Sequence, residues 1–89
     1  MTEKQSPEKV NQNSETQIYK IVLYNDDINT FDFVIDMLMK YCRHSFGQAE
    51  QCAMLTHYKG KSVVLKGEYK DMEPVASTLL DNGLSVEIE

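Results

Sequence analysis

The apolar positions of this chain become frequent only at Ile18, and they then follow two different spacings. Residues 1–17 are mostly Glu, Lys, Gln, Asn and Ser, and apart from Met1 the one sizeable apolar side chain among them is Val10. Such a segment cannot bury enough apolar surface to offset the entropy of ordering it. We therefore predict a flexible N-terminal tail over residues 1–17 and a folded domain over residues 18–89.

Three short runs have the composition of β-strands. Residues 18–25 include three consecutive apolar side chains at positions 21–23, so both faces of this strand are apolar, which is typical of a central strand. Residues 62–66 form a β-branched run, and residues 84–88 alternate apolar with polar side chains. The last two runs are predicted to pair with the first.

Two adjacent segments carry apolar residues at helical spacing. Thr30 is a favoured N-cap residue, and the apolar side chains after it recur every three or four residues up to about Arg43. Ser45 followed by Gln48 matches a capping box, and the second helix is predicted to end near Tyr58, shortly before a glycine. The sequence therefore predicts two consecutive helices after the first strand.

A third helix is predicted from about Asp71 to the pair Asn82-Gly83, which is a helix-ending signal. Pro74 is compatible with this helix only within its first turn. The order of elements is then β-α-α-β-α-β. We predict an α+β fold in which a three-stranded sheet packs against three helices on one of its faces.

Charge and apolar run length exclude several classes of partner. The chain has a net charge of −5 and no basic stripe, so we expect neither nucleic acid nor an anionic membrane as a partner. No purely apolar run exceeds four residues, and no signal peptide is visible, so we expect a cytoplasmic protein. Cys42 and Cys52 are then expected to be reduced thiols. An acidic surface suits partners that present cations.

The spacing of the reactive residues supports neither a metal site nor an enzyme. The two cysteines and the two histidines follow no common zinc-binding pattern. Asp26 and Asp27 are adjacent, so their side chains point in different directions and do not form the spaced pair of an acid–base site. The sequence therefore predicts no catalytic residue, no metal and no cofactor.

The polar triplet Asn25-Asp26-Asp27 lies between the first strand and the first helix. Taken alone, Asn and Asp are common turn residues, and His57 near a helix end is favoured by the helix dipole. Their joint placement adds a second interpretation, because the second helix returns antiparallel to the first and brings its end back beside the triplet. Asn25, Asp26 and His57 would then form an acceptor-rich cup that suits an ammonium group with its three donors.

Two signatures of this sequence together resemble the ClpS adaptor family. The first is the strand and triplet YKIVLYNDD at residues 19–27, followed by FVIDML at residues 33–38. The second is THYKGK at residues 56–61. The resemblance runs over residues 18–67 and resumes at 84–89, with the two signatures in the correct order and spacing.

The resemblance implies an adaptor of the bacterial N-end rule pathway rather than an enzyme. Such adaptors bind the free α-amino group and the large hydrophobic first residue of a substrate, and they deliver it to a ClpA- or ClpC-like AAA+ unfoldase that works with the ClpP peptidase. By position, the amino group is expected at Asn25, Asp26 and His57. The hydrophobic pocket is expected to be lined by Ile28, Phe31, Val34, Met37, Ala53, Thr56 and Leu84. We also expect a monomer.

Three positions depart from the usual pattern of the family. Phe31 and Ala53 each stand where a methionine is usual, and Thr56 stands where an aliphatic residue is usual. The segment of residues 68–83 is also shorter than the corresponding segment of the family pattern. These departures leave open a small module that regulates the unfoldase without recognising N-terminal residues. A separate alternative is an interaction module that shares only its layout with the C-terminal domain of the ribosomal stalk protein.

Overall fold

The structure is a computed structural model, and it describes residues 17–89. The predicted tail therefore lies outside the described residues, except for Gln17. The described part has the predicted order β-α-α-β-α-β. Its elements are β1 (Tyr19–Tyr24), α1 (Phe31–Tyr41), α2 (Phe46–Lys59), β2 (Lys61–Gly67), α3 (Tyr69–Asp81) and β3 (Val86–Ile88).

The three strands form one antiparallel sheet in the order β2-β1-β3, so the prediction that the first strand is central is confirmed. Ile21 and Leu23 of β1 point towards the helices and belong to the buried core. The pairing of β1 with β2 shifts by one residue, because Ile21 pairs with Leu65 while Val22 pairs with Val63. The extra residue of this bulge, Val64, is also buried in the core.

The ends of α1 and α2 follow the predicted capping signals. The Thr30 hydroxyl accepts the N–H of Phe33 at 3.1 Å, and both halves of the capping box at Ser45 are present. Gly60 ends α2 in the left-handed conformation with φ of 92°, and its N–H donates to the carbonyl of Thr56 at 2.9 Å. Glycine reaches this conformation without the steric cost that a Cβ adds.

The prediction for the start of the third helix was wrong. α3 begins two residues earlier than expected, so Pro74 is its sixth residue and lies beyond the first turn. The helix starts early because the carbonyl of Glu68 accepts the N–H groups of Asp71 and Met72, both at 3.0 Å, without any side-chain cap. Since Pro74 has no N–H, α3 lacks one of its internal hydrogen bonds.

The loop between β1 and α1 is held at both of its sides. The N–H of Asn25 donates to the carbonyl of Gly60 at 2.9 Å, which joins the end of β1 to the end of α2. The side-chain amide of Asn29 donates to the carbonyl of Gly83 at 2.8 Å, which joins the loop to the end of α3. These contacts fix residues 25–30 at one end of the domain, beside the last turn of α2.

No helix within residues 17–89 combines the length and the apolar character that crossing a membrane requires.

Candidate functional site

A cavity of about 560 Å³ opens at the end of the domain where β1 stops. Three segments surround it: the end of β1 with its following loop, the first turn of α1, and the last two turns of α2. The cavity is lined by Leu23, Tyr24, Asn25, Asp26, Asp27, Asn29, Phe31, Val34, Ala53, Met54, Thr56, His57 and Tyr58. The C-terminal half of α2 therefore lies beside the N-terminal end of α1.

The structure brings most of the predicted site residues to this one cavity. The three residues predicted for an amino group, Asn25, Asp26 and His57, all line it. Four of the predicted pocket residues line it as well, namely Phe31, Val34, Ala53 and Thr56.

Three of the predicted pocket residues do not line the cavity. Met37 and Leu84 are 4% and 3% exposed and belong to the hydrophobic core, because their side chains face the interior between the helices and the sheet. Ile28 is 89% exposed, since it lies at the tip of the loop between β1 and α1. A family pattern specifies the sequence positions of these residues but not the direction of their side chains.

Asp26 is the centre of the loop's hydrogen bonds. Its Oδ1 accepts the backbone N–H groups of Ile28 at 2.9 Å and Asn29 at 2.8 Å. Its Oδ2 accepts the amide of Asn29 at 2.8 Å and the hydroxyl of Ser85 at 3.2 Å. A carboxylate has about four lone-pair sites, so these four donors occupy all of them. Asp26 therefore shapes the loop, and four donors within residues 17–89 share its two oxygens.

These contacts also set the ionisation of Asp26. Partial burial raises the pKa of its carboxyl, but hydrogen bonds from Asn29, Ile28 and Ser85 outweigh this effect and leave the pKa below its usual value. Hydrogen bonds to the charged form favour that form. The loop therefore depends on an ionised Asp26.

Three other side chains at the cavity keep their acceptors available. Asn25, Asp27 and His57 line the cavity and are exposed. Within residues 17–89 no side-chain hydrogen bond engages any of the three, and the ring of His57 contacts the ring of Tyr58 edge-on, with centroids 5.0 Å apart. An amide oxygen, a carboxylate and an imidazole nitrogen thus line one cavity, and each can accept a hydrogen bond from a ligand.

The C-terminal end of α2 adds partial negative charge at the same place. His57, Tyr58 and Lys59 form its last turn, where the carbonyls that lack helical partners point along the axis. The helix dipole favours a cation at this end. The opening of the cavity therefore suits a positively charged group.

The inner wall of the cavity is apolar although it contains a threonine. Leu23, Ala53 and Thr56 are buried residues of this wall. The Thr56 hydroxyl is 2.8 Å from the carbonyl of Cys52 and 2.8 Å from the hydroxyl of Ser62, which in turn lies 3.1 Å from the same carbonyl. We infer that these partners hold the hydroxyl and that Thr56 presents its methyl group to a ligand.

Substitutions of Thr56 test this orientation. We expect Thr56→Ser to weaken the binding of a Phe-initiated peptide roughly threefold to fourfold, because one buried methyl group contributes about 0.8 kcal/mol. Thr56→Val keeps the methyl and is expected to retain affinity, while it lowers the free energy of unfolding by about 1 kcal/mol through the lost hydrogen bonds. Peptide titrations and urea unfolding of both variants measure these effects. Stronger weakening by Val than by Ser would show that the hydroxyl faces the ligand.

Several lining residues were not identified from the sequence. Asp27 was recognised as part of the triplet, but no binding role was given to it. Met54 and Tyr58 are four residues apart, so they lie on the same side of α2. This spacing, close in sequence to His57, is the signal that could have identified them. Tyr24 also lines the cavity, and a hydrogen bond to Glu89 raises its pKa to about 12.

The remaining reactive residues lie in the core or pack against it. Cys42 and Cys52 are free thiols, and burial raises the pKa of Cys42 to about 11. His44 is buried, with Nε2 at 2.7 Å from the carbonyl of Val64. Among residues 17–89, no group of three His, Cys, Asp or Glu side chains is arranged to hold a metal ion.

Comparison with known proteins places this geometry in a family. The family model described as "ATP-dependent Clp protease adaptor protein ClpS" matches residues 14–87. The chain belongs to the ClpS family. The ClpS resemblance seen in the sequence is thereby confirmed.

Curated ClpS proteins match part of the chain. The ATP-dependent Clp protease adapter protein ClpS of Campylobacter jejuni is 38% identical over 50 residues, which are 56% of this chain and 52% of the relative. That of Escherichia coli is 39% identical over 46 residues, which are 52% of this chain and 43% of the relative. The chain thus spans about half the length of the curated relatives it matches. These relatives are named as adaptors, not as enzymes.

A solved structure supports the ClpS fold over most of the chain. ClpS2 of Agrobacterium tumefaciens, bound to L-phenylalaninamide, superposes with a TM-score of 0.80 and 28% sequence identity. The match covers 84% of this chain and 98% of that protein. The predicted α+β fold with its three-stranded sheet and three helices is confirmed.

Proposed function

We propose that this chain is an adaptor of the bacterial N-end rule pathway. It binds the free α-amino group and the large hydrophobic first residue of a substrate protein. It then delivers that substrate to a Clp AAA+ unfoldase, ClpA- or ClpC-like, which works with the ClpP peptidase. The observation that carries this proposal is one cavity that combines an apolar inner wall with three acceptors that no side chain within residues 17–89 engages.

The amino group is assigned to the acceptors at the opening. A protonated amine has three N–H donors, and Asn25, Asp27 and His57 supply an amide oxygen, a carboxylate and an imidazole nitrogen. Charge-assisted hydrogen bonds of this kind are about twice as strong as neutral ones. Asp26 was the carboxylate predicted for this role, but its oxygens are occupied, so we assign the direct contact to Asp27 and the shaping of the loop to Asp26.

The first side chain is assigned to the inner wall. Val34, Ala53 and Thr56 offer apolar surface there, and burying one large apolar side chain contributes about 1.5–3 kcal/mol. Burial of the side chain alone, or the amine contacts alone, would not offset the entropy lost when the peptide associates. Tight binding therefore requires both the free α-amino group and the large apolar first side chain of the substrate.

The ligand of the neighbouring ClpS2 structure supports the proposed class of substrate. Its ligand, L-phenylalaninamide, has a free α-amino group next to a benzyl side chain, which are the two features that the cavity fits. The name of the family points to Clp protease as the destination of the substrate. We propose the cytosol as the compartment, where the free thiols of Cys42 and Cys52 remain reduced.

An array of peptides that differ only in their first residue tests the function. Peptides that begin with Phe, Tyr, Trp or Leu are expected to bind. Peptides that begin with Ala, Ser, Glu or Lys are expected to bind at least tenfold more weakly, because they lose about 1.5 kcal/mol of the free energy gained by burying an apolar side chain. Equal binding of all first residues contradicts the proposal. Capture of the unfoldase without any peptide binding would instead favour the regulatory module.

A further inference from the structure

Three large apolar side chains border the opening of the cavity and remain in contact with solvent. Met54 and Tyr58 lie four residues apart on α2 and so share one side of the helix, while Phe31 starts α1. All three line the cavity, yet Tyr58 is 75% exposed, Met54 45% and Phe31 40%. We refer to Phe31, Met54 and Tyr58 as the apolar rim.

The cavity is larger than one amino-acid residue requires. Its volume of about 560 Å³ falls within the range of about 300–1,000 Å³ that is typical of pockets for drug-sized ligands. The buried side chains of Leu23, Ala53 and Thr56 enclose the inner part, and the apolar rim surrounds the outer part. A peptide whose first side chain fills the inner part must therefore pass its second residue beside the rim.

We propose that the apolar rim is a second subsite, which selects substrates whose second residue is apolar. The inference rests on the proposed function, because it takes the first residue to be bound in the inner part. Scattered exposed apolar side chains are ordinary on protein surfaces. Three that line one cavity are not scattered, and they add exposed apolar surface beside its buried apolar residues.

The apolar rim acts through contact area and not through directed bonds. A leucine at the second position has three more carbon atoms than an alanine, and each fully buried one adds about 0.8 kcal/mol. Because the apolar rim remains partly open to solvent, a leucine would bury only about half of its added surface there. This partial burial corresponds to roughly threefold to tenfold tighter binding. Met54 is the cleaner probe, since the ring of Tyr58 also contacts His57.

The test compares two peptides, one starting Phe-Leu and one starting Phe-Ala, that are otherwise identical. Their affinities are measured by fluorescence anisotropy for the parent chain, for Met54→Ser and for Leu55→Ser. Leu55 is the matched control, because it is the neighbouring residue, is 41% exposed and does not line the cavity. We expect Phe-Leu to bind roughly threefold to tenfold tighter than Phe-Ala to the parent and to Leu55→Ser, and this ratio to fall below about twofold in Met54→Ser.

Equal affinities of the two peptides for the parent would overturn the second subsite, and so would a ratio that Met54→Ser leaves unchanged. An N-acetylated Phe-Ala peptide separates this failure from failure of the proposed function. If acetylation abolishes binding while Phe-Leu and Phe-Ala bind equally, the amine site stands and the subsite does not. If acetylation has no effect, or if none of the peptides binds, both are wrong.

Discussion

Removing the α-amino group of a Phe-initiated peptide is expected to weaken its binding to this chain about 100-fold or more. In the proposed receptor the amine donates charge-assisted hydrogen bonds to Asn25, Asp27 and His57, and each such bond is worth about 1.5–3 kcal/mol. Loss of two of them corresponds to a factor of 100 or more in the dissociation constant. Acetylation removes both the charge and two of the three donors, so it leaves the acceptors at the opening unsatisfied.

The measurement uses three peptides with one common sequence after the first residue. The first has a free N-terminal Phe, the second has an acetylated Phe, and the third carries a 3-phenylpropanoyl group, which keeps the ring and lacks the amine. The third peptide is the control for the bulk of the acetyl group. Isothermal titration should detect strong binding of the first peptide alone. Comparable affinities of the first and third peptides would rule out amine recognition.

The second large effect concerns the different roles of Asp26 and Asp27. Asp26→Asn is expected to lower the free energy of unfolding by about 1–3 kcal/mol and to weaken peptide binding, because the new amide would face the amide of Asn29 with donor against donor. Asp27→Asn removes an exposed carboxylate that has no side-chain hydrogen bond within residues 17–89. It is therefore expected to weaken peptide binding about tenfold or more while the unfolding free energy stays within about 0.5 kcal/mol of the parent.

The pH dependence of the unfolding free energy should show the role of Asp26 without any peptide present. Its pKa is lowered in the folded state relative to the unfolded chain, so its contribution to stability is fully present above the ordinary carboxyl pKa of about 4. This contribution is lost as the pH falls through the folded-state pKa. The difference in unfolding free energy between the parent and Asp26→Asn should therefore shrink below about pH 4. Urea unfolding of both proteins at a series of pH values measures this difference in unfolding free energy. A difference that stays constant with pH would contradict the role of an ionised Asp26.

The arrangement of helices and strands was largely predictable because the signals for it are local. Capping at Thr30 and Ser45, the glycine after α2, and the apolar spacing each act over a few residues. The start of α3 was not predictable in the same way. Glu68 provides no side-chain cap, and the early start depends on its backbone carbonyl. The sequence therefore placed Pro74 in the first turn of α3, whereas the helix starts earlier and Pro74 lies beyond that turn.

The candidate site was only partly predictable. The position of His57 beside the triplet followed from the return of α2, because two consecutive helices joined by a short turn run antiparallel. The hydrogen bonds that engage Asp26 did not follow, since one of them comes from Ser85, which is distant in sequence and donates to Asp26 only in the folded chain. The burial of Met37 and Leu84 similarly depends on how the helices pack on the sheet.

A crystal structure of this chain with L-phenylalaninamide is the most direct test of the proposed receptor. We predict the ligand nitrogen within about 2.7–3.2 Å of acceptors on Asn25, Asp27 and His57, and the phenyl ring against Val34, Ala53 and Thr56. A ligand whose amino group points into solvent, or one that binds elsewhere on the surface while the cavity stays unoccupied, would contradict the account.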